Sequence, residues 1–364
     1  MAFEYDTKKD VGEEIIGVAP GEEFKLMPTI KIVGVGGAGS NMADWLYRMN
    51  IQNAEIIAAN TDYAHLRLVK AHKKVLLGKD VTRGLGAGGL PEVGRSATES
   101  SQGDLRKILE GADMVWILGG LGGGTGTGGM PVVAKIAKEA GVPLVVAVAT
   151  LPLVSEGLVR REKAEIGLRE LRKYADNVIL IDNNKILAYA GNLPLQQAFG
   201  YANNIIGHMV KGIVEALQPS FINLDFADVK TVLGQKGGAS IVGIGVSDAS
   251  ENRAKEAAKR ALELPLLDVE YQGASGALVH VEGGPDLTLS EVNEVASYIQ
   301  QHMGQDALTI IGARQNENMK GKVRVTVIIS GVKSPYILSK WKEEWENPQL
   351  LAKRSVDLGI DILS

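Results

Sequence analysis

Cysteine is absent from the 364 residues, which removes disulfides, thiolate metal sites, iron–sulfur clusters and cysteine nucleophiles from consideration together. A reducing, cytoplasmic setting fits that absence. A positive charge balance is lacking as well. The 39 basic and 43 acidic residues leave a net charge of −4, so there is no overall basic field to grip nucleic acid or an anionic lipid surface. No apolar run approaches the ~20 residues that span a bilayer. The opening MAFEYDTKKDVGEE has neither the basic nor the apolar segment of a secretory signal. The five histidines, His65, His72, His208, His280 and His302, show no ligand spacing, which argues against a zinc site. The expectation is a protein that binds no nucleic acid, inserts into no membrane and holds no metal through its own side-chain cluster. What is present, 45% hydrophobic and 23% charged residues, is the balance of a soluble globular chain long enough for about two domains.

Residues 1–28 read as an extension before the first core strand. From there short apolar runs alternate with helical stretches: strand 29–36, helix 40–49, strand 54–61, helix 97–111, strand 112–120, helix 131–141 and strand 143–150. Strands apolar on both faces, alternating with helices, predict a parallel sheet covered on each side, in an α/β domain over 29–194. A long helix over 195–219 follows. Its apolar positions Phe199, Ala202, Ile206, Met209, Ile213 and Leu217 recur at spacings of three and four, as expected of a helix packed lengthwise between two bodies. A smaller α/β domain spans 220–332, with helices over 251–263 and 289–303, and 333–364 form a tail.

The excess residue is glycine, 44 of 364, about 12% against a usual ~7%. The first cluster, Gly34-Val-Gly36-Gly37-Ala38-Gly39, satisfies G-x-G-x-x-G between a strand and a helix, a pattern that lets a pyrophosphate approach backbone N–H groups but equally serves a tight turn. The second packs eight glycines into positions 119–129, with Thr125 and Thr127 between them and Pro131 expected in the first turn of the following helix. Such a loop loses much backbone entropy on ordering, so a structural role alone is a poor account of it. Successive N–H groups and a helix dipole there suit phosphate oxygens. A third stretch runs Arg83-Gly84-Leu85-Gly86-Ala87-Gly88-Gly89-Leu90. Three such loops at the carboxyl ends of strands in one sheet converge on one crevice, and a triphosphate fits it. No G-x-x-x-x-G-K-[ST] occurs, so charge neutralisation falls to amides, helix dipoles and a Mg²⁺ ion held partly by the phosphates.

GGGTGTG at 122–128 matches the signature of the tubulin/FtsZ family. GVGGAGSN (34–41), NTD (60–62), RGLGAGG (83–89), LPLVSEGLVR (151–160) and NLDFADVK (223–230) follow that family's FtsZ branch in order, so that residues 30–332 resemble it closely, in its archaeal form. The resemblance implies a GTPase that assembles head to tail into the protofilaments of the cell-division ring, with GTP and GDP as substrate and product and Mg²⁺ as cofactor. It implies nucleotide contacts at Gly36, Gly37, Ala38, Asn41, Asn60, Asp62, Ala87, Gly88, Gly89 and the run Gly122, Gly123, Gly124, Thr125, Gly126, Thr127, Gly128. Glu156 and Arg160 fall on the family's ribose contacts, although their spacing also suits a surface ion pair. Asn183 and Asn203 fall on its guanine contacts, with Phe199 stacking on the base. Asn203 stands where FtsZ usually has Asp, and an amide accepts through one oxygen only. Leu90 stands where Asn is usual.

The catalytic candidates are Asp225 and Asp228, with Asn223 beside them. Asp225 could merely cap a helix starting near Phe226, with Asp228 favoured in its first turn by the dipole. Two carboxylates three apart can also position water for attack on a γ-phosphate. The resemblance implies that this loop completes the pocket of a neighbouring subunit. A dinucleotide-dependent oxidoreductase built on the first glycine cluster, and a GTP-binding scaffold that never hydrolyses, are the competing readings. In the tail, Trp341 and Trp345 lie four apart, and the terminal DLGIDIL resembles short peptides by which FtsZ proteins bind membrane adaptors.

Overall fold

The computed structural model describes residues 27–332 except 191, 193, 219–221, 223, 235–237, 264–265, 268–273 and 304–305. The tail with Trp341, Trp345 and DLGIDIL therefore lies outside the described residues, as does nearly all of the N-terminal extension. In chain order the elements are β1 (Ile30–Val35), α1 (Gly36–Arg48), β2 (Ala54–Asn60), α2 (Tyr63–Leu68), β3 (Lys73–Leu76), α3 (Lys79–Thr82), α4 (Pro91–Ser100), α5 (Gln102–Leu109), β4 (Met114–Gly120), α6 (Thr125–Glu139) and β5 (Leu144–Leu151). Then come α7 (Leu158–Leu171), β6 (Asn177–Asp182), α8 (Asn183–Ala190), α9 (Leu195–Ala216), α10 (Phe226–Leu233), β7 (Gly238–Ser247), α11 (Arg253–Glu263), β8 (Gly276–Gly283), α12 (Leu289–Gln301), β9 (Leu308–Gln315) and β10 (Val323–Ser330).

The strands join one sheet in the order β3-β2-β1-β4-β5-β6-β7-β10-β8-β9. The first six are parallel, as their doubly apolar sequences predict. β10 runs antiparallel between β7 and β8. The two halves meet where β6 pairs with β7 over three residue pairs, Asn177 to Ser240 at its limits. The sheet is thus continuous through both.

α9 runs between α1 on one side and β7–β10 on the other. Ile206, Met209 and Ile213 on its apolar face are at most 1% exposed, each worth about 1.5–3 kcal/mol of burial. The seam against the sheet also buries charge. Arg314 Nη1 stands 3.1 Å from Glu215 of α9. Arg324 Nη1 and Asn316 Nδ2 donate to Glu282 at 2.5 and 2.6 Å. Burial, the largest cause, pushes Glu215 above the usual carboxylate range. Burial opposes ionisation of Glu282, but its bonds from Asn316 and Arg324 hold it low. Burial also drives His208 of α9 and His280 of β8 down to about 4.

Several element boundaries differ from the sequence expectation for a common reason. α1 begins at Gly36 rather than residue 40, and α6 at Thr125 rather than 131, so Pro131 sits inside the helix as its seventh residue. Close packing draws glycines into these helices. A Cβ at Gly128 would lie 1.9 Å from the Pro91 carbonyl oxygen, and one at Gly126 2.2 Å from that of Gly120. The helix expected over 97–111 is two, α4 and α5, broken at Ser101, whose hydroxyl accepts the Gly78 N–H at 2.9 Å.

Candidate functional site

β1 and β4 are adjacent and parallel, so the loops after them leave the sheet side by side. Gly36 lies against the second glycine loop: a Cβ there would stand 2.9 Å from Gly126 N. The third loop folds onto the second, with Ala87 and the Leu90 backbone under 3 Å from where Gly124 would carry a Cβ. The three clusters therefore do meet at one place. At Gly37, Gly88, Gly89 and Gly123 an added Cβ would find nothing within 4 Å. These four border open space, whereas Gly126 and Gly128 are covered by protein.

Asn60, Thr61 and Asp62 tie the three loops together. Thr61 Oγ1 and Thr125 Oγ1 are 2.7 Å apart. The Gly86 N–H donates to the Thr61 carbonyl at 3.2 Å, and the Tyr63 N–H to that of Gly84 at 3.0 Å. Asp62 caps α2 by accepting the His65 N–H at 3.0 Å. Asn60 is 3% exposed, with its amide nitrogen donating to His65 Nδ1 and its oxygen accepting the Asp62 N–H. His65 Nε2 is 2.9 Å from Asn41 Oδ1. The Thr127 hydroxyl closes the second loop on itself by accepting the Gly122 N–H at 2.8 Å. Lys163 of α7 donates to the Gly89 carbonyl at 2.8 Å, strapping down the third loop.

The remaining candidates are less tightly bound into this hub. Glu156 and Arg160 are exposed and pair with each other, and Glu156 also accepts the Leu153 N–H at 2.9 Å. The Arg160 backbone nonetheless borders the second glycine loop: a Cβ at Gly122 would be 2.8 Å from its carbonyl oxygen. Asn183 opens α8, half-buried, directly after β6. Beside it Asn184 accepts the Val154 N–H at 3.0 Å, which fixes the segment leading to Glu156. Asn203 is half-buried on α9. Phe199 falls on α9 with its side chain outside the described residues.

Asp225 and Asp228 are not brought to the glycine loops. Asp225 caps α10, accepting the Ala227 N–H at 2.9 Å, and Asp228 occupies its first turn. Both are exposed, and Asn223 lies outside the described residues. α9 carries the chain away from the glycine loops. Lys211 and Gln218 donate to the carbonyls of Met49 and Gln52, in the turn after α1, and the Leu224 N–H bonds to the Ala216 carbonyl at the end of α9. The 13 residues of α1, about 20 Å of helix, separate that turn from Gly36. The carboxylates and the glycine loops occupy opposite poles.

Sequence reasoning assigned no role to His65, Lys163, Thr61 or Asn184. Thr61 lies inside the quoted Asn-Thr-Asp motif and His65 three residues after it, which is the signal that could have found them; Lys163 and Asn184 carry none.

The chain matches the family model "Tubulin/FtsZ family, GTPase domain" over residues 29–191 and "FtsZ family, C-terminal domain" over residues 238–333. It is 46% identical over 333 residues to "Cell division protein FtsZ 1" of Archaeoglobus fulgidus, an alignment covering 91% of this chain and 89% of that one. A solved FtsZ dimer of M. jannaschii, described as empty, superposes with a TM-score of 0.79 at 46% identity, over 84% of this chain and 88% of that one. CetZ2 from Haloferax volcanii, solved as a GTPγS-bound protofilament, gives a TM-score of 0.74 at 25% identity, over 90% and 99% of the two chains. On the extent and level of these matches, this chain belongs to the FtsZ branch of the tubulin/FtsZ family of GTPases.

Proposed function

We propose that the chain binds GTP at its glycine pole and hydrolyses it to GDP and phosphate when a second copy docks its opposite pole there, supplying Asp225 and Asp228. Copies joined this way form a head-to-tail polymer, the cytoplasmic cytoskeleton of the division site. The supporting observation is the separation of the poles. The exposed carboxylates stand on the far side of a ~20 Å helix from the open glycines of their own molecule. The family resemblance and the protofilament assembly of CetZ2 point the same way.

At the glycine pole, N–H groups around Gly37, Gly88, Gly89 and Gly123 meet the phosphates. Asn183, Asn203 and Phe199 select guanine, and Glu156 with Arg160 holds the ribose. At the docked pole, the two carboxylates on one turn of α10 orient and polarise the attacking water. Among the described residues no three acidic or histidine side chains cluster as a metal site. A Mg²⁺ held chiefly by phosphate oxygens would supply charge neutralisation there. The terminal DLGIDIL engages a membrane-tethering adaptor; unchanged adaptor binding after deletion of 356–364 counts against that part.

Complementation tests the whole reading. One variant, Asp225→Asn, keeps the glycine pole; a second, Gly123→Val, obstructs it and keeps the carboxylates. Each alone should hydrolyse GTP slowly, and the mixture should recover turnover that rises steeply with total concentration. Undiminished turnover by dilute, monomeric wild-type protein would overturn the reading.

A further inference from the structure

We propose that His65 is a positioning residue for the nucleotide, setting the Asn41 amide through a neutral ring that bridges two glycine-pole elements. This rests on the GTP reading above. The Asn60 amide nitrogen can only donate, so His65 Nδ1, 3.1 Å away, is the acceptor. Nδ1 is then unprotonated, and the ring's hydrogen sits on Nε2, 2.9 Å from Asn41 Oδ1. The bond pattern thus assigns one tautomer and one orientation to Asn41, with its oxygen turned to the histidine and its NH₂ group left as the outward donor. Asn41 is exposed, on the first turns of α1 and two residues after Gly39, the end of the first glycine cluster. Asn60 is buried at the end of β2, its amide also bound to the Asp62 N–H.

The connection matters because of what else joins the loops. Thr61 links the tripeptide to the second loop, and backbone bonds link it to the third. From the tripeptide to the first loop, the side-chain route runs through His65. Loss of the ring would leave the three loops in place, since Gly36 still packs on Gly126, but would free the Asn41 amide to rotate. The cost then falls on nucleotide affinity, because an ordered donor becomes one that must be fixed at binding. The α2 cap uses the backbone N–H of His65 and not its side chain, so the stake of folding in the ring is the bond that the ring accepts from the buried Asn60 amide.

The test compares full-length wild type with His65→Phe, His65→Gln, Asn41→Ala and the double variant His65→Phe/Asn41→Ala, measuring KM and kcat for GTP above the assembly concentration and binding of a fluorescent GTP analogue. Phe keeps the ring shape and removes both bonds; Gln restores one acceptor and one donor. His65→Phe should raise KM about tenfold, with kcat within about twofold and an unfolding midpoint lower by only a few degrees, the cost of the buried Asn60 amide losing its acceptor, which Asn41→Ala does not share. Gln should recover most of the loss, and the double variant should be no worse than Asn41→Ala. Unchanged KM in His65→Phe, a fall in kcat alone, or additive losses in the double variant would overturn the inference while the GTP reading stands. A wild type that binds no GTP analogue would overturn both.

Discussion

The pole carrying Gly37, Gly88, Gly89 and Gly123 presents backbone to solvent, held from behind by buried contacts. The pole carrying Asp225 and Asp228 presents carboxylates on an exposed helical turn. The glycines packed behind the first, Gly126 and Gly128, are therefore intolerant of added atoms, and the second is free to change chemistry without losing its fold. A site that binds several phosphate oxygens needs many fixed donors at once, which only a tightly packed backbone provides. A site that must be completed by another molecule has to stand clear of its own body.

The sharpest break of that contrast lies within the glycines. Gly128→Ala forces a Cβ to 1.9 Å from the Pro91 carbonyl and 2.6 Å from the Arg95 nitrogen. It should destabilise by about 3 kcal/mol or more, read as a lower unfolding midpoint or loss of folded protein. Gly37→Ala adds its methyl to open space and should leave the midpoint unchanged while weakening GTP binding. If both variants behaved alike, the division between packing and binding glycines would be wrong.

At the other pole, Asp225 has two roles that substitution can separate. Asparagine caps a helix as well as aspartate does, whereas alanine costs about 1 kcal/mol there. Asp225→Asn should keep the unfolding midpoint and lose at least ~10²-fold in kcat, about 2.7 kcal/mol of barrier; Asp225→Ala should lose both. Full turnover by the asparagine variant would reduce Asp225 to a cap.

The α/β fold was legible because β1, β4 and β5 are apolar on both faces, a pattern that parallel sheets alone require. The three glycine clusters were legible for the same local reason. The helix starts at Gly36 and Thr125 were not, since the glycines in these first turns pack on backbone distant in sequence, Gly39 against the Leu118 carbonyl and Gly128 against that of Pro91. His65 has no ligand spacing, and its partners Asn41 and Asn60 lie 24 and 5 residues before it in sequence. The charged seam beside α9 was equally hidden: Glu215, Glu282, Arg314 and Arg324 come from four separate elements.

That seam is a third kind of construction, and pH tests it. His208 and His280 are held neutral by burial, with values near 4 against an ordinary 6.5. Above pH 6.5 both folded and unfolded chains carry them neutral, and stability is complete. Between pH 6.5 and 4 the unfolded chain takes up protons that the folded chain refuses, so stability falls with pH, by an amount on the order of 1–3 kcal/mol per histidine. His208→Gln should flatten this part of the profile of unfolding midpoint against pH. A profile unchanged by that substitution would remove His208 from the effect.

The smallest effect separates a structural from a binding role at the edge of the crevice. Glu156 and Arg160 form an exposed pair four residues apart on the segment entering α7, an arrangement worth only about 0.2–1 kcal/mol. Arg160→Ala should therefore shift the unfolding midpoint by no more than a degree or so. Its effect on GTP should be larger than its effect on folding, because the Arg160 carbonyl and Cβ abut Gly122, the neighbour in sequence of the open Gly123. Comparing GTP with its 2′-deoxy analogue sharpens this. If the pair holds the ribose, the wild type should discriminate between the two and Arg160→Ala or Glu156→Ala should discriminate less. Equal discrimination in all three proteins would leave the pair as a surface contact, and the glycine pole would then read the nucleotide through its phosphates and base alone.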